Sequence, residues 1–391
     1  MLRIRHITMF TAAATALAAG LFGAGTAGAQ DKVTIGITSA LSGPLSAPGK
    51  FQMNGFRLAE EEINAAGGVS IGGRRIPIEL KVYDTRGNPG EGASAMQRLA
   101  TVDNVPVVLG ELSSGVAAAM APIAEDNELP LILTVPTGPS LTQQGHKFLF
   151  RVNANNAQLN RALAEFLGQQ GWSPVAFIAW NNDAGRGGVN GMKSMLAAAK
   201  DGYVGYFNVG EVDFSSHVSN IRASKAQAVM LLMDEEPGSL AIRQIRDAGL
   251  DVHLVGTLAM GSDRFLKRLD AQKLAGMVQY NAFPPNADVP RIKAFSARYK
   301  AKYGEEAHGF AAQSYDGLKL AVAAMEQAGT VTDRKAIREA LAKIQYDGVI
   351  GRVAFGDNGQ ASPPVYVTQW CEDGKRRILF PESMKAGCGA G

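Results

Sequence analysis

Two doubly wound α/β lobes are the fold class that the sequence predicts, and three observations predict it. Short β-branched runs alternate with amphipathic stretches of helical period in both halves of the chain. The turns that close these runs are rich in Gly, Pro and Ser, as at 39–49 (SALSGPLSAPG) and 135–140 (VPTGPS). About 360 residues remain once a leader is set aside, more than one hydrophobic core comfortably holds.

The elements follow in chain order. The run 33–38 (VTIGIT) is the first strand, 39–49 the loop at its carboxyl end, and 50–66 an amphipathic helix stopped by Gly67 and Gly68. A tight turn at 71–74 (IGGR) leads into a strand over 76–83, a polar loop over 84–92 and a helix over 93–102. The segment 107–142 reads as a complete βαβ unit: strand 107–109, turn 110–115 (GELSSG), helix 116–126, strand 129–133 and a Pro-rich turn. A strand over 148–152 closes this half.

The second half repeats the alternation. Strands are expected at 175–180, 203–209, 228–233, 252–256 and 277–283, with helices at 158–169, 189–199, 215–224 and 236–248. Residues 181–188 (NNDAGRGG) read as a loop. Helices return at 290–303, 309–328 and 332–344, the last with Asp333 near its start. Strands at 350–355 and 365–370 end the chain.

Residues 1–29 read as a cleavable signal peptide. Arg3 and Arg5 precede an apolar, small-residue run that ends in the A-x-A pattern of Ala27-Gly28-Ala29. No cysteine lies at that point, so a lipid anchor is not expected, and no later stretch is long and apolar enough to span a bilayer. The expected address is the periplasm of a Gram-negative cell. Without the leader the chain carries 37 basic and 36 acidic residues, because Arg3 and Arg5 come off the 39 and no acid is lost. That balance leaves no footprint for nucleic acid. The two cysteines, Cys371 and Cys388, form a disulfide pair in an oxidising compartment or else stay as two free thiols.

The 107–142 unit carries the first binding argument. A parallel βαβ unit puts both of its turns at the carboxyl edge of the sheet, where open α/β sheets hold ligands. Ser113 and Ser114 stand at the start of the helix, where free N–H groups and the helix dipole favour an anion. The pair reads either as a plain N-cap or as a carboxylate-sized docking point. Asp234 follows the strand at 228–233 and Asp183 the strand at 175–180, so both also stand at strand carboxyl ends. Asp234 reads either as a helix-terminal acid suited to the dipole or as a cleft carboxylate for a ligand cation or donor. Trp180 reads as packed under the sheet edge, and the five histidines as surface or loop residues.

Catalytic and cofactor signatures are missing from the chain. Gly185-Arg186-Gly187-Gly188 is not G-x-G-x-x-G, and no P-loop, G-x-S-x-G, H-E-x-x-H or metal-spaced Cys/His set occurs. No catalytic residue, cofactor or metal is therefore expected, which sets aside a secreted α/β hydrolase.

Ordered motifs then point to a family. They are ITSALSGPLSAPG (37–49), GFRLAEEEINAAGGVSIGGRRI (55–76), YDTRGNPGEGA (83–93), VVLGELSSG (107–115), VPTGPSLT (135–142), WNNDAGRG (180–187), FGDNGQ (355–360) and the closing QWCEDGK. In this order and spacing the chain resembles the branched-chain amino-acid-binding proteins of bacterial ABC importers, the leucine/isoleucine/valine-binding group of periplasmic solute receptors. The resemblance implies the type I periplasmic binding fold, two lobes joined by a three-crossover hinge with a small ligand trapped between them. The lobes would be 31–153 plus 283–363 and 154–282 plus 364–391. It implies no catalysis, a monomer, and an inner-membrane ABC permease as partner. A ligand-sensing receptor domain with the same lobes is the alternative.

Carried over by position, the resemblance implies that Ser114 takes a ligand carboxylate. The Val135 carbonyl takes an ammonium, and the Thr137 hydroxyl beyond Pro136 contacts the head group. The facing positions depart from the family. Leu258 stands where a glutamate neutralises the ammonium, Ala184 and Asp234 stand at or near aromatic positions, and Pro48 replaces an aromatic of the first loop. A buried ammonium with no carboxylate costs several kcal/mol. Two ligand classes follow: an aromatic or aliphatic acid lacking an α-amine, or an amino acid or amide whose nitrogen Asp234 holds.

Overall fold

A computed structural model describes residues 32–197, 202–208, 210–260, 265–287, 289–385 and 388. The expected leader, 1–29, lies outside the described residues. The first run of elements is β1 (Val33–Ser39), α1 (Ser46–Ala65), β2 (Val69–Ile71), β3 (Arg74–Ile76), β4 (Ile78–Asp84), α2 (Pro89–Thr101), β5 (Val108–Gly110), α3 (Ser114–Asp126), β6 (Leu131–Leu133) and β7 (Leu149–Arg151). The second is α4 (Asn156–Gln170), β8 (Val175–Trp180), α5 (Asp183–Met195), β9 (Val204–Phe207), α6 (Ser215–Ala223), β10 (Ala228–Leu232), α7 (Glu235–Asp247), β11 (His253–Gly256), α8 (Ala271–Leu274) and β12 (Val278–Asn281). The chain ends with α9 (Pro290–Tyr303), α10 (Gly309–Ala328), α11 (Arg334–Lys343), β13 (Gln345–Gly348), β14 (Gly351–Ala354), β15 (Tyr366–Trp370) and β16 (Arg376–Phe380).

The strands form two main sheets. One is parallel, in the order β4-β1-β5-β6-β7. The other has the order β16-β15-β12-β11-β10-β8-β9, parallel except for β15 and β16, which run antiparallel at one edge. Strands such as β8 (VAFIAW) and β10 (AVMLL) are apolar almost throughout because helices cover both faces of a parallel sheet. The chain passes between the sheets three times: after β7, after β12 and before β15. The helices after β12 return to the first sheet, and Phe295, Tyr299, Leu318 and Ile337 share one core with Val33, Ile35 and Phe56.

Several sequence expectations need correcting. The first helix starts at Ser46, so Pro48 lies in its first turn, where proline is tolerated. Gly49 packs so tightly on Ala40 that an added Cβ would stand 1.9 Å from its carbonyl oxygen, which only glycine allows. Residues 183–188, expected as loop, open α5, because the Asn182 side chain caps it by accepting from Gly185 N–H at 2.9 Å. The strand at 350–355 is half of the β13–β14 hairpin, and the terminal strand has an antiparallel partner, β16. His217 is buried on α6 with Nδ1 2.8 Å from the Tyr203 hydroxyl, not at the surface. Asp333 does cap α11, accepting from the Lys335 and Ala336 amides at 3.0 Å.

Candidate ligand-binding site

The carboxyl ends of both sheets converge on a cavity of about 680 Å³. From the first sheet come Leu112 after β5 and Val135, Thr137 and Pro139 after β6. From the second come Trp180, Asp234, Thr257, Leu258 and Tyr280 at the ends of β8, β10, β11 and β12. Asn156 and Asn160 on α4 and Phe310 on α10 complete the wall. The walls are predominantly apolar with a few placed polar groups, the usual make-up of a small-molecule site.

The turns of the first sheet are stitched together. Ser114 is the first residue of α3, and its Oγ accepts the Gly138 N–H at 3.0 Å. Ser113 occupies the N-cap position, yet its side chain makes no cap hydrogen bond. The plain capping role is therefore not the one Ser113 plays. Asn153 Nδ2 donates to the Val135 carbonyl at 3.0 Å, which occupies one lone pair of the oxygen that the resemblance assigns to an ammonium. Pro136 is buried, and its carbonyl accepts from Arg151 Nη1 at 3.4 Å. Ser113, Ser114, Pro136 and Pro48 do not line the cavity; Val135 and Thr137 do.

Beneath these turns lies a buried polar network. Gln52 Nε2 donates to the Glu111 carbonyl and to Thr134 Oγ1, both at 3.0 Å, and Gln52 Oε1 accepts from Ser39 Oγ at 2.6 Å. The Glu111 carboxylate accepts from Leu112 N–H and Thr85 Oγ1, both at 2.9 Å. Burial pushes its pKa up against these hydrogen bonds. Glu111 drew no attention in the sequence, where GELSSG read as a turn with two hydroxyls.

The second sheet supplies the one charged wall residue. Asp234 is the sole carboxylate or cationic side chain among the described residues lining the cavity. It holds the N-cap position of α7 without a side-chain cap hydrogen bond, and its carboxylate has no hydrogen-bond partner among the described residues. Its side chain is exposed at the mouth, and the surrounding protein still raises its pKa by desolvation. Leu258 turns off β11, and its backbone faces the Tyr280 hydroxyl, whose pKa burial pushes up to about 12.

Trp180 lines the cavity and is backed by Phe207, with ring centroids 4.3 Å apart, rather than lying wholly under the sheet edge. Gly185, Gly187, Gly188 and Gly191 on α5 form a bare helix face on the same wall. The side chains of Asp183 and Ala184 lie outside the described residues. A second cavity, of about 590 Å³, shares Leu258 and carries mixed charges, among them Lys267, Lys300, Glu305 and Asp373. The Cys371 and Cys388 sulfurs, which do not line the 680 Å³ cavity, are joined, with Cα atoms 5.7 Å apart.

Two α/β lobes that present their strand carboxyl ends to one shared cavity define a two-lobed solute-binding protein. The chain belongs to the periplasmic binding protein family, whose profile matches residues 32–375. It is 28% identical over 352 residues to Leu/Ile/Val-binding protein homolog 3 of Brucella melitensis, covering 88% of this chain and 92% of that one. The branched-chain amino acid transporter substrate binding protein of Streptococcus pneumoniae, solved in complex with isoleucine, superposes with a TM-score of 0.77 at 25% identity. That match covers 89% of this chain and 99% of the other. A solute-binding protein of an R. palustris ABC transporter, solved in complex with benzoate, shares the fold with a TM-score of 0.76 at 22% identity, over 89% and 95% of the two chains.

Proposed function

We propose that the chain is the periplasmic solute-binding subunit of an ABC importer. It captures a small carboxylate-bearing molecule between its lobes and hands it to an inner-membrane permease, without chemistry of its own. In this reading the leader at 1–29 directs export, and the lobes divide as 31–153 plus 283–363 and 154–282 plus 364–391.

The observation that carries the ligand class is the asymmetry of the cavity. The first-lobe wall offers the Thr137 hydroxyl, in a turn that Ser114 at the start of α3 holds through the Gly138 amide, suited to a carboxylate. The second-lobe wall offers Asp234, a carboxylate whose side chain has no hydrogen-bond partner among the described residues, with Asn156, Asn160, Thr257 and Tyr280 as the other polar groups on a mainly apolar surface. An unpaired carboxylate facing a ligand favours a donor nitrogen there. The preferred ligand is therefore an apolar amino acid or its amide-like relative, with its nitrogen held by Asp234 in place of the glutamate that Leu258 replaces. The isoleucine complex and the Leu/Ile/Val-binding relative support this choice.

A second reading has one observation in its favour. Trp180 offers a flat wall for an aromatic ring, and desolvation raises the pKa of Asp234, which lessens the cost of placing an acid near it. The benzoate-bound relative in fold fits that reading. Titration calorimetry with L-leucine and benzoate, on wild type and Asp234→Ala, separates the two. The first reading expects leucine binding that weakens about 10- to 100-fold in the variant. Benzoate binding without leucine binding, unchanged in the variant, would sink it.

A further inference from the structure

Arg151 ends β7, the strand from which the chain first leaves the first lobe, and it is fully buried. Its guanidinium spreads over four neutral acceptors. Nε donates to Gln360 Oε1 at 2.6 Å, Nη1 to the Gly138 carbonyl at 2.6 Å and the Pro136 carbonyl at 3.4 Å, and Nη2 to Thr142 Oγ1 at 3.1 Å. It forms no ion pair among the described residues, and burial alone lowers its pKa, to about 10, still well above neutrality. A buried cation with no counter-charge among the described residues is costly and therefore needs an explanation.

The acceptors explain where the charge acts. Pro136 and Gly138 flank Thr137, the cavity-lining residue of the 135–138 turn, and the Gly138 amide is held by Ser114 Oγ. The guanidinium thus lies directly behind the turn that faces the ligand. The Pro136–Thr137 peptide is trans, so the Pro136 carbonyl and the Thr137 N–H point in opposite directions. Anchoring that carbonyl on Arg151 turns the Thr137 N–H away from the buried guanidinium. Gln360 lies on the last return of the chain toward the second lobe and donates to the Asn153 carbonyl at 2.9 Å, so the same node joins the turn to two of the crossovers.

We infer that Arg151 is a positioning and charge-selecting residue of the binding site: it orients the 135–138 turn and supplies, from behind it, the positive charge whose partner is the carboxylate of the bound ligand. The inference rests on the carboxylate-on-the-first-lobe reading above. It predicts that the protein prefers a carboxylate to its neutral amide, and that this preference depends on the charge at position 151.

The test is calorimetric titration of the full chain with L-leucine against L-leucinamide, and with benzoate against benzamide. Wild type is expected to favour the acid of at least one pair by about tenfold or more. Arg151→Gln is expected to bring that ratio close to one, and Arg151→Lys to retain most of it. A purely structural role lowers acid and amide affinity in parallel, so an unchanged ratio in Arg151→Gln overturns the inference while leaving the carboxylate reading intact. A wild type that shows no acid preference in either pair sinks the carboxylate reading, and the inference with it. If Arg151→Gln does not fold, the Arg151 Nε–H resonance of wild type decides. A shift with the acid but not the amide supports the inference, and equal or absent shifts refute it.

Discussion

At the scale of single residues, the site is a question of which charges lack partners. Asp234 and Arg151 are both uncompensated among the described residues, on opposite lobes, one facing the cavity and one behind its wall. Leu258 adds no charge between them. Installing a carboxylate there makes a direct test of ligand polarity. Leu258→Glu should weaken benzoate binding by at least about tenfold, since a second anion would face the acid in a poorly solvated cavity. Leucine binding should survive or improve, because the new carboxylate stands where the resemblance assigns the ammonium partner. Calorimetry on the two ligands reads the outcome, and benzoate affinity equal to wild type would argue against any approach of the ligand to position 258. Thr137 and Asp234, which the sequence singled out in turns with an evident chemical bias, line the cavity, whereas Ser114, singled out with them, does not. Glu111, Asn153 and Arg151 escaped notice. Yet a signal for Arg151 was present: a cation in the middle of the apolar run LFRV is costly unless the fold satisfies it.

At the scale of elements, α5 does the most to shape the cavity. Four glycines in thirteen residues argue against a helix on propensity, and the loop expected at 181–188 followed from that. The Asn182 cap and the packing of Gly185 against Trp180 override it, since a Cβ at Gly185 would stand 2.1 Å from the Trp180 carbonyl oxygen. The bare face then leaves the cavity open. Gly187 has no atom within 4 Å of where its Cβ would be, so a larger side chain there meets open space rather than the core. Gly187→Leu should therefore keep or raise the melting temperature, by a gain of up to about 1 kcal/mol in helix propensity. It should abolish or strongly weaken ligand binding by filling the cavity. Parallel thermal melts and titrations test this; loss of stability together with binding would show that the glycine is needed for folding instead.

At the scale of the whole molecule, the three passages between sheets are held by buried polar groups. Asp316 on α10, a further buried polar group, holds the β13–β14 hairpin within the first lobe. Its Oδ2 accepts the Ile350 N–H at 2.7 Å next to the β13–β14 hairpin, its Oδ1 has no partner among the described residues, and Gly348 leaves it just enough room. Burial pushes its pKa up from 3.8 to about 7. The folded protein thus keeps a proton that the unfolded chain has already lost. The stability tied to this group is fully present below pH 3.8 and is lost as pH rises to about 7. The slope over that window is up to about 1.4 kcal/mol per pH unit. Asp316→Asn should flatten the melting-temperature profile between pH 4 and 7, and leave the protein more stable than wild type above pH 7. A variant profile parallel to wild type would mean that Asp316 is not the titrating group.

The sequence by itself determined the fold class and the order of most elements, because strand and helix periodicity, capping residues and turn chemistry are local properties that a linear pattern carries, and its ordered motifs carried the resemblance to the family. It also marked the turns after β5, β6 and β10 as the place to look for a ligand, since parallel βαβ topology puts strand carboxyl ends together whatever the details. Only the tertiary structure decided which side chains share the cavity. Leu112, Trp180, Tyr280 and Phe310 come from four distant segments, and their convergence depends on how the lobes pack. The same holds for Arg151: its meaning lies in Pro136, Gly138, Thr142 and Gln360, up to 209 positions away in the chain, and in the charge that none of them carries.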